Sequence, residues 1–168
     1  MKLEDIKTTD FGGIPPHTWW QRRICRIIGA KTFHWLKFVA PVEGDWIVSE
    51  SIGKGPALTL FGNRRALVYR AKELAYEPTP MHLVKIHAKY GDYPYDWEVS
   101  FRTAIWWLAK HYLGKVVRVV KDKAVNCQEW VVLIAGELGV KIIPDGEYPM
   151  SVNLENSSYL EYIGEVAG

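Results

Sequence analysis

Cysteine is scarce in this chain: there are two in 168 residues, and they form no Cys-x-x-Cys pair. They allow at most one disulfide, and their spacing does not decide whether it forms. No His-Glu-x-x-His motif, paired-cysteine ligand cluster or acidic calcium loop occurs, so nothing specifies a metal site. No run of about 18 apolar residues is present, which excludes a spanning helix from the expectation. The first residues, Met1-Lys2-Leu3-Glu4-Asp5, are partly acidic and lead into no apolar h-region, so a cytoplasmic protein without a classical signal peptide is expected. Excess charge is also lacking. A formal net charge of +2 is too small to imply a nucleic-acid partner. The densest basic cluster, Arg64, Arg65, Arg70 and Lys72, is interrupted by Ala66-Leu67-Val68-Tyr69 and reads as a half-buried strand with solvated ends.

Apolar and aromatic residues are plentiful. Hydrophobic residues make up 48% of the chain, with eight Trp and nine Tyr, enough for the core of one domain spanning 1–168. Residues 1–18 read as an irregular lead, broken by Gly12-Gly13 and Pro15-Pro16. Thr18 caps a predicted helix whose Trp19, Trp20, Ile24, Ile27 and Ile28 make one apolar face, and Gly29 stops it. Strands are predicted over 33–40, 46–50, 57–60 and 66–71, the first two joined as a hairpin through 41–45. Helices follow from Pro80 to near Gly91, over 100–111 and over 127–138, while 116–120 is ambiguous. With Pro144, Gly146 and Pro149, residues 141–168 read as a covering tail. A small antiparallel sheet followed by helices is an α+β arrangement.

Asn126-Cys127-Gln128-Glu129 carries the most chemistry. Asn126 suits an N-cap and Glu129 suits N3, which makes a capping box and puts Cys127 at N1. There the helix dipole and unsatisfied N–H groups stabilise a thiolate and could receive charge on a substrate oxygen. A buried structural cysteine is the plainer reading of the same residue. A thiolate nucleophile needs a histidine base, itself oriented by a polar group. If the 41–45 turn sets Ala40 opposite Trp46, Leu36 faces Glu50, and His34 and Glu50 become diagonal neighbours on one face. A slip of one residue would separate them. His17 falls in the irregular lead, and His82, His87 and His111 fall in helical segments without ligand spacing.

The ordered set Phe33-His34-Trp35, Ile47-Val48-Ser49-Glu50-Ser51, Gly91-Asp92-Tyr93-Pro94-Tyr95-Asp96 and Asn126-Cys127-Gln128-Glu129-Trp130 resembles the circularly permuted branch of the NlpC/P60 papain-like superfamily. The nearest likeness is to YiiX-like and YaeF-like bacterial proteins, with a more distant one to lecithin:retinol acyltransferase. In that branch the histidine strand precedes the cysteine helix. The resemblance implies Cys127 as nucleophile, His34 as base and Glu50 as the polar third member. It also implies Tyr95 at the oxyanion or pocket, and Trp35 and Asp96 near a substrate groove. Trp35 stands where the pattern often has Gly or Val, a departure that touches access or packing. The acyltransferase relatives use a second histidine where Glu50 stands, which favours the hydrolase-like branch.

The implied activity is that of a thiol hydrolase or acyltransferase acting on an amide, ester or thioester of a small peptide or acyl-bearing substrate. It would require no cofactor. Two alternatives stand beside it: a catalytically silent binding or interaction module with His34 and Cys127 apart, and a redox protein in which Cys25 and Cys127 meet.

Overall fold

The computed structural model describes residues 1–74, 76–96 and 124–168; the helix expected over 100–111, the ambiguous run at 116–120 and His111 lie outside them. In chain order the described elements are β1 (Asp10–Ile14), α1 (Trp19–Ile28), β2 (His34–Val42), β3 (Asp45–Ile52), β4 (Gly55–Leu60), β5 (Arg65–Ala71), α2 (Pro80–Tyr90), α3 (Cys127–Glu137), α4 (Ser151–Glu155) and β6 (Leu160–Ala167). The strands form one antiparallel sheet in the order β4-β3-β2-β1-β5-β6. The architecture is α+β, as expected.

The β2–β3 hairpin sets the geometry of everything near His34. Its turn is tighter than the five-residue connection expected. Strand pairing runs up to Val42↔Asp45, and only Glu43 and Gly44 turn the chain, both with positive φ. Two such residues match the twist of the flanking strands. This turn pairs Ala40 with Ile47, one step out from the expected register. Continued without interruption, it would set Glu50 opposite Lys37. A bulge between Phe38 and Ala40 absorbs one residue, and beyond it Leu36 faces Glu50, the pairing that parity required. His34 and Glu50 therefore share a face through two compensating departures from the simple hairpin.

The sheet buries both faces. On one, Phe11, Trp35, Val39, Leu67 and Tyr69 pack with Leu83 and Ile86 of α2 and with Trp130, Val131 and Ile134 of α3. On the other, Leu36, Phe38, Val48, Ala66, Val68 and Val166 close over Ile6 and Phe61. Alternation along each strand assigns the residues: His34 continues the row of Leu36 and Phe38, whereas Trp35 points toward the helices.

Both chain ends differ from expectation. The lead expected to be irregular supplies β1, a central strand flanked by β2 and β5. Gly12 and Gly13 are the reason it fits. A Cβ on Gly12 would lie 2.7 Å from Leu36 Cδ1, and one on Gly13 would lie 2.6 Å from Thr32 Cγ2. The lead is also tied down by Lys37, which is fully buried and donates to the carbonyls of Thr8, Asp10 and Phe38. Burial pushes the Lys37 ammonium down to about 7, against the opposing pull of Asp10 and Glu77. The residues expected to form a covering tail supply α4 and the edge strand β6, which pairs with β5 along its length.

Gly55 couples this frame to the segment leading toward α3. It begins β4 at φ +126°, and a Cβ there would run into the Tyr93 carbonyl oxygen. Backbone conformation and contact both demand glycine. Gly55→Ala is therefore expected to cost about 2–3 kcal/mol. A urea midpoint identical to that of the parent protein would show that the 93–94 segment does not rest on this position.

Candidate active site

The thiol sits where the local sequence puts it. Asn126 Oδ1 accepts from the N–H groups of Gln128 and Glu129, both at 2.9 Å, and Glu129 Oε2 accepts from Asn126 N–H at 3.0 Å. This is the reciprocal capping box expected from the tetrapeptide, and it leaves Cys127 as the first residue of α3. Cys127 is 5% exposed. Its Sγ–H donates to Gln128 Oε1 at 3.1 Å, while Gln128 Nε2 donates to the Phe33 carbonyl and to Ser151 Oγ. Gln128 thereby links the start of α3 to the residue preceding His34.

The histidine and the carboxylate meet as parity required. His34 Nε2 and Glu50 Oε2 are 2.7 Å apart. An ionised carboxylate only accepts, so Nε2 carries a proton and Nδ1 is the ring nitrogen left for the thiol. Burial works against a charged imidazole here. The neighbouring Cys127 side chain, and then Glu50 through its hydrogen bond and charge, overcome it and push His34 up to about 10.

Glu50 is more heavily held than a hairpin argument anticipates. Its side chain is 3% exposed. Besides His34, it accepts from the Thr59 hydroxyl and from Arg64 Nη1, whose distances to the two carboxylate oxygens are 2.8 and 2.9 Å. Arg64 is fixed in turn by the carbonyls of Phe61 and Leu60, at 2.7 and 2.6 Å. Burial alone would raise the Glu50 carboxyl. The hydrogen bond and charge of His34, the Thr59 hydroxyl and the Arg64 charge hold it down to about 2. Arg64 is therefore a correction: expected among the solvated ends of the basic cluster, it instead neutralises a buried anion. Nothing in its spacing from Glu50 signals this. Thr59 is recoverable from pattern, since it lies diagonal to Glu50 on the adjacent strand once β3–β4 pairing is drawn.

The remaining expected positions divide. Tyr95 forms a parallel bridge with Val125, so the 93–96 segment runs beside the entry to α3, with Val125 N–H donating to the Pro94 carbonyl at 3.1 Å. Ser51 Oγ, from β3, also holds the Val125 carbonyl at 2.8 Å. Asp96 lies in the same crossing and is buried. Trp35, expected beside a groove, is fully buried; it stacks obliquely on Tyr69 and donates Nε1–H to Ser151 Oγ. It is a core residue, because position 35 faces the helices while 34 faces the other way. His87 accepts from or donates to Ser49 Oγ at 3.1 Å, and Trp130 Nε1–H donates to the same hydroxyl at 3.0 Å, which fastens α2 and α3 to β3.

Both cysteines are free thiols. Cys25 is buried in α1 and donates to the Thr32 carbonyl at 3.4 Å. No protein-family model matches the chain, and no curated protein matches it.

Two measurements test this electrostatic picture. Burial, reinforced by the Glu155 charge, pushes the Cys25 thiol up to about 11, whereas Cys127 begins α3 in the neighbourhood of His34. Brief iodoacetamide treatment at pH 7, followed by peptide mass mapping, should label Cys127 in preference to Cys25. Preferential labelling of Cys25 in the folded protein would contradict the assignment.

Glu50 governs the acid limb of stability. With its carboxyl at about 2 in the fold against 4.5 ordinarily, its contribution is complete above 4.5 and lost as pH falls through 2. That contribution is on the order of 3 kcal/mol. His34 acts in the opposite sense: raised from 6.5, its contribution is complete below 6.5 and lost as pH rises through about 10. Urea unfolding between pH 5 and 2 should show a steeper loss for the parent protein than for Glu50→Gln. Parallel curves would rule out Glu50 as the coupled group.

Proposed function

We propose that the chain is a cysteine hydrolase or acyltransferase of circularly permuted papain-like build, with Cys127 as nucleophile, His34 as base and Glu50 as the residue that orients His34. The observation carrying this reading is that a buried carboxylate holds the His34 imidazole at 2.7 Å through Nε2, and that the same imidazole lies near enough to the Cys127 side chain at the start of α3 to be shifted by it. A silent binding module would need no such pairing, and a redox role would need Cys25 and Cys127 to meet, whereas Cys25 donates to the Thr32 carbonyl and Cys127 to Gln128. The order of the parts, histidine strand before cysteine helix, supports the permuted build.

The proposed chemistry uses these groups in turn. Nδ1 of His34 takes the thiol proton, and the sulfur attacks the carbonyl carbon of an amide, ester or thioester. The N–H groups of Gln128 and Glu129 are engaged by Asn126, so the developing oxyanion would meet the N–H of Cys127, with Tyr95 on the adjoining segment. The imidazolium returns its proton to the leaving amine, alcohol or thiol, and a thioester to Cys127 remains. Water, or an amine or alcohol acceptor, then attacks that thioester while His34 takes the attacking proton, and the thiol is restored. Glu50 holds the ring throughout and stabilises its charged form.

An activity screen with amide, ester and thioester probes, read by intact and peptide mass spectrometry, tests the reading. The acyl mass should reside on Cys127, disappear in Cys127→Ala, fall at least about 100-fold in rate in His34→Ala and fall less in Glu50→Gln. The double variant of His34 and Cys127 should lose no more than Cys127→Ala alone. Undiminished acylation in His34→Ala would remove the base from the mechanism.

A further inference from the structure

Helix α1 presents the wrong side to the protein for an ordinary amphipathic helix. At 100° per residue it has three faces. Gln21 and Cys25 turn inward and are buried. Trp20, Ile24 and Ile27, spaced i, i+4, i+7, form an outward row that is 44%, 42% and 56% exposed. Arg22, Arg23 and Arg26 occupy the third face, all exposed, and Trp19 beside them is 73% exposed. The helix contains no acidic residue.

This exposure belongs to a firmly anchored helix. Thr18 and Gln21 close a capping box at its start, and Gly29 ends it in the left-handed conformation at φ +74°. Cys25 donates to the Thr32 carbonyl, and the ring of Trp20 meets Phe33 edge-on at 5.1 Å. Glu155, a carboxylate that contacts the loop after the helix, is occupied by the N–H groups of Lys31 and Thr32. An apolar row held rigidly in water is unfavourable unless something covers it.

We propose that α1 docks the protein on an anionic membrane surface, with Trp20, Ile24 and Ile27 at the acyl boundary and the arginines among the headgroups. Apolar and basic residues segregated onto separate faces, with tryptophan on a helix whose only charges are cationic, are the marks of an interfacial helix. Charge complementarity selects the anionic lipid. An acidic protein would satisfy the arginines but has no claim on the isoleucine row, and a nucleic acid would leave that row in water. Because Trp20 packs on Phe33, adjacent to His34, docking brings the thiol site close to the lipid interface. The inference does not depend on the proposed thiol chemistry, since its test measures binding without turnover.

The test is flotation with vesicles of phosphatidylcholine alone and of phosphatidylcholine with one quarter phosphatidylglycerol. The protein should float with the anionic vesicles at low salt, and binding should weaken as salt is raised. Ile24→Glu with Ile27→Glu should abolish flotation while leaving the circular dichroism spectrum unchanged. Replacing the three arginines by glutamine should lower the partition coefficient about 100-fold, at about fivefold for each charge. Acyl-brominated lipid should quench tryptophan fluorescence less in Trp20→Phe than in the parent. Absence of flotation overturns the proposal. So does flotation indifferent to both sets of variants, a dimer in light scattering that Ile27→Glu dissolves, or oligonucleotide binding in place of vesicle binding.

Discussion

Glu50 is an anion almost wholly removed from water, and such a charge survives in a fold only where donors converge on it. The donors come from three places: His34 at the start of β2, Thr59 on β4, and Arg64 just before β5. The strand pairings that bring β4, β3 and β2 together are therefore the same ones that neutralise this carboxylate. The orientation of His34 follows from it. With Nε2 committed to Glu50, the imidazole has one remaining nitrogen and one direction in which to offer it.

Strand β3 carries a second task on its other face. Its even positions lead to Glu50, while Ser49 and Ser51 point toward the helices and hold Trp130 and the Val125 carbonyl. The residues that bracket Cys127 are thus registered to the strand that orients His34. Agreement between the two faces rests on the bulge between Phe38 and Ala40, since the tight Glu43-Gly44 turn alone would invert the parity of β2 against β3. A turn of one length and a bulge of one residue act as a pair.

The departures from expectation share a cause. Hydrophobic periodicity identifies α1 and its caps, yet the apolar row faces outward and the inward contacts belong to Gln21 and Cys25. A glycine pair marks the lead as irregular, although in β1 the missing side chains make room for Leu36 and Thr32. Lys37, an unremarkable charge in a strand pattern, is the buried donor that ties this lead to β2.

The features legible in the chain lie within a few residues of each signal. The α3 capping box, the Thr18 and Pro80 helix starts, the hairpin, and the even spacing of His34 and Glu50 all act over short separations, where backbone geometry leaves few alternatives. Tertiary structure decided the rest: the insertion of β1 beside β5, the addition of β6, the burial of Trp35, and the capture of Glu50 by Arg64. Each of these joins residues distant in the chain or sets which face of an element turns inward. Neither property has a local signature, because the energy that settles them comes from burial and charge neutralisation shared among several elements at once.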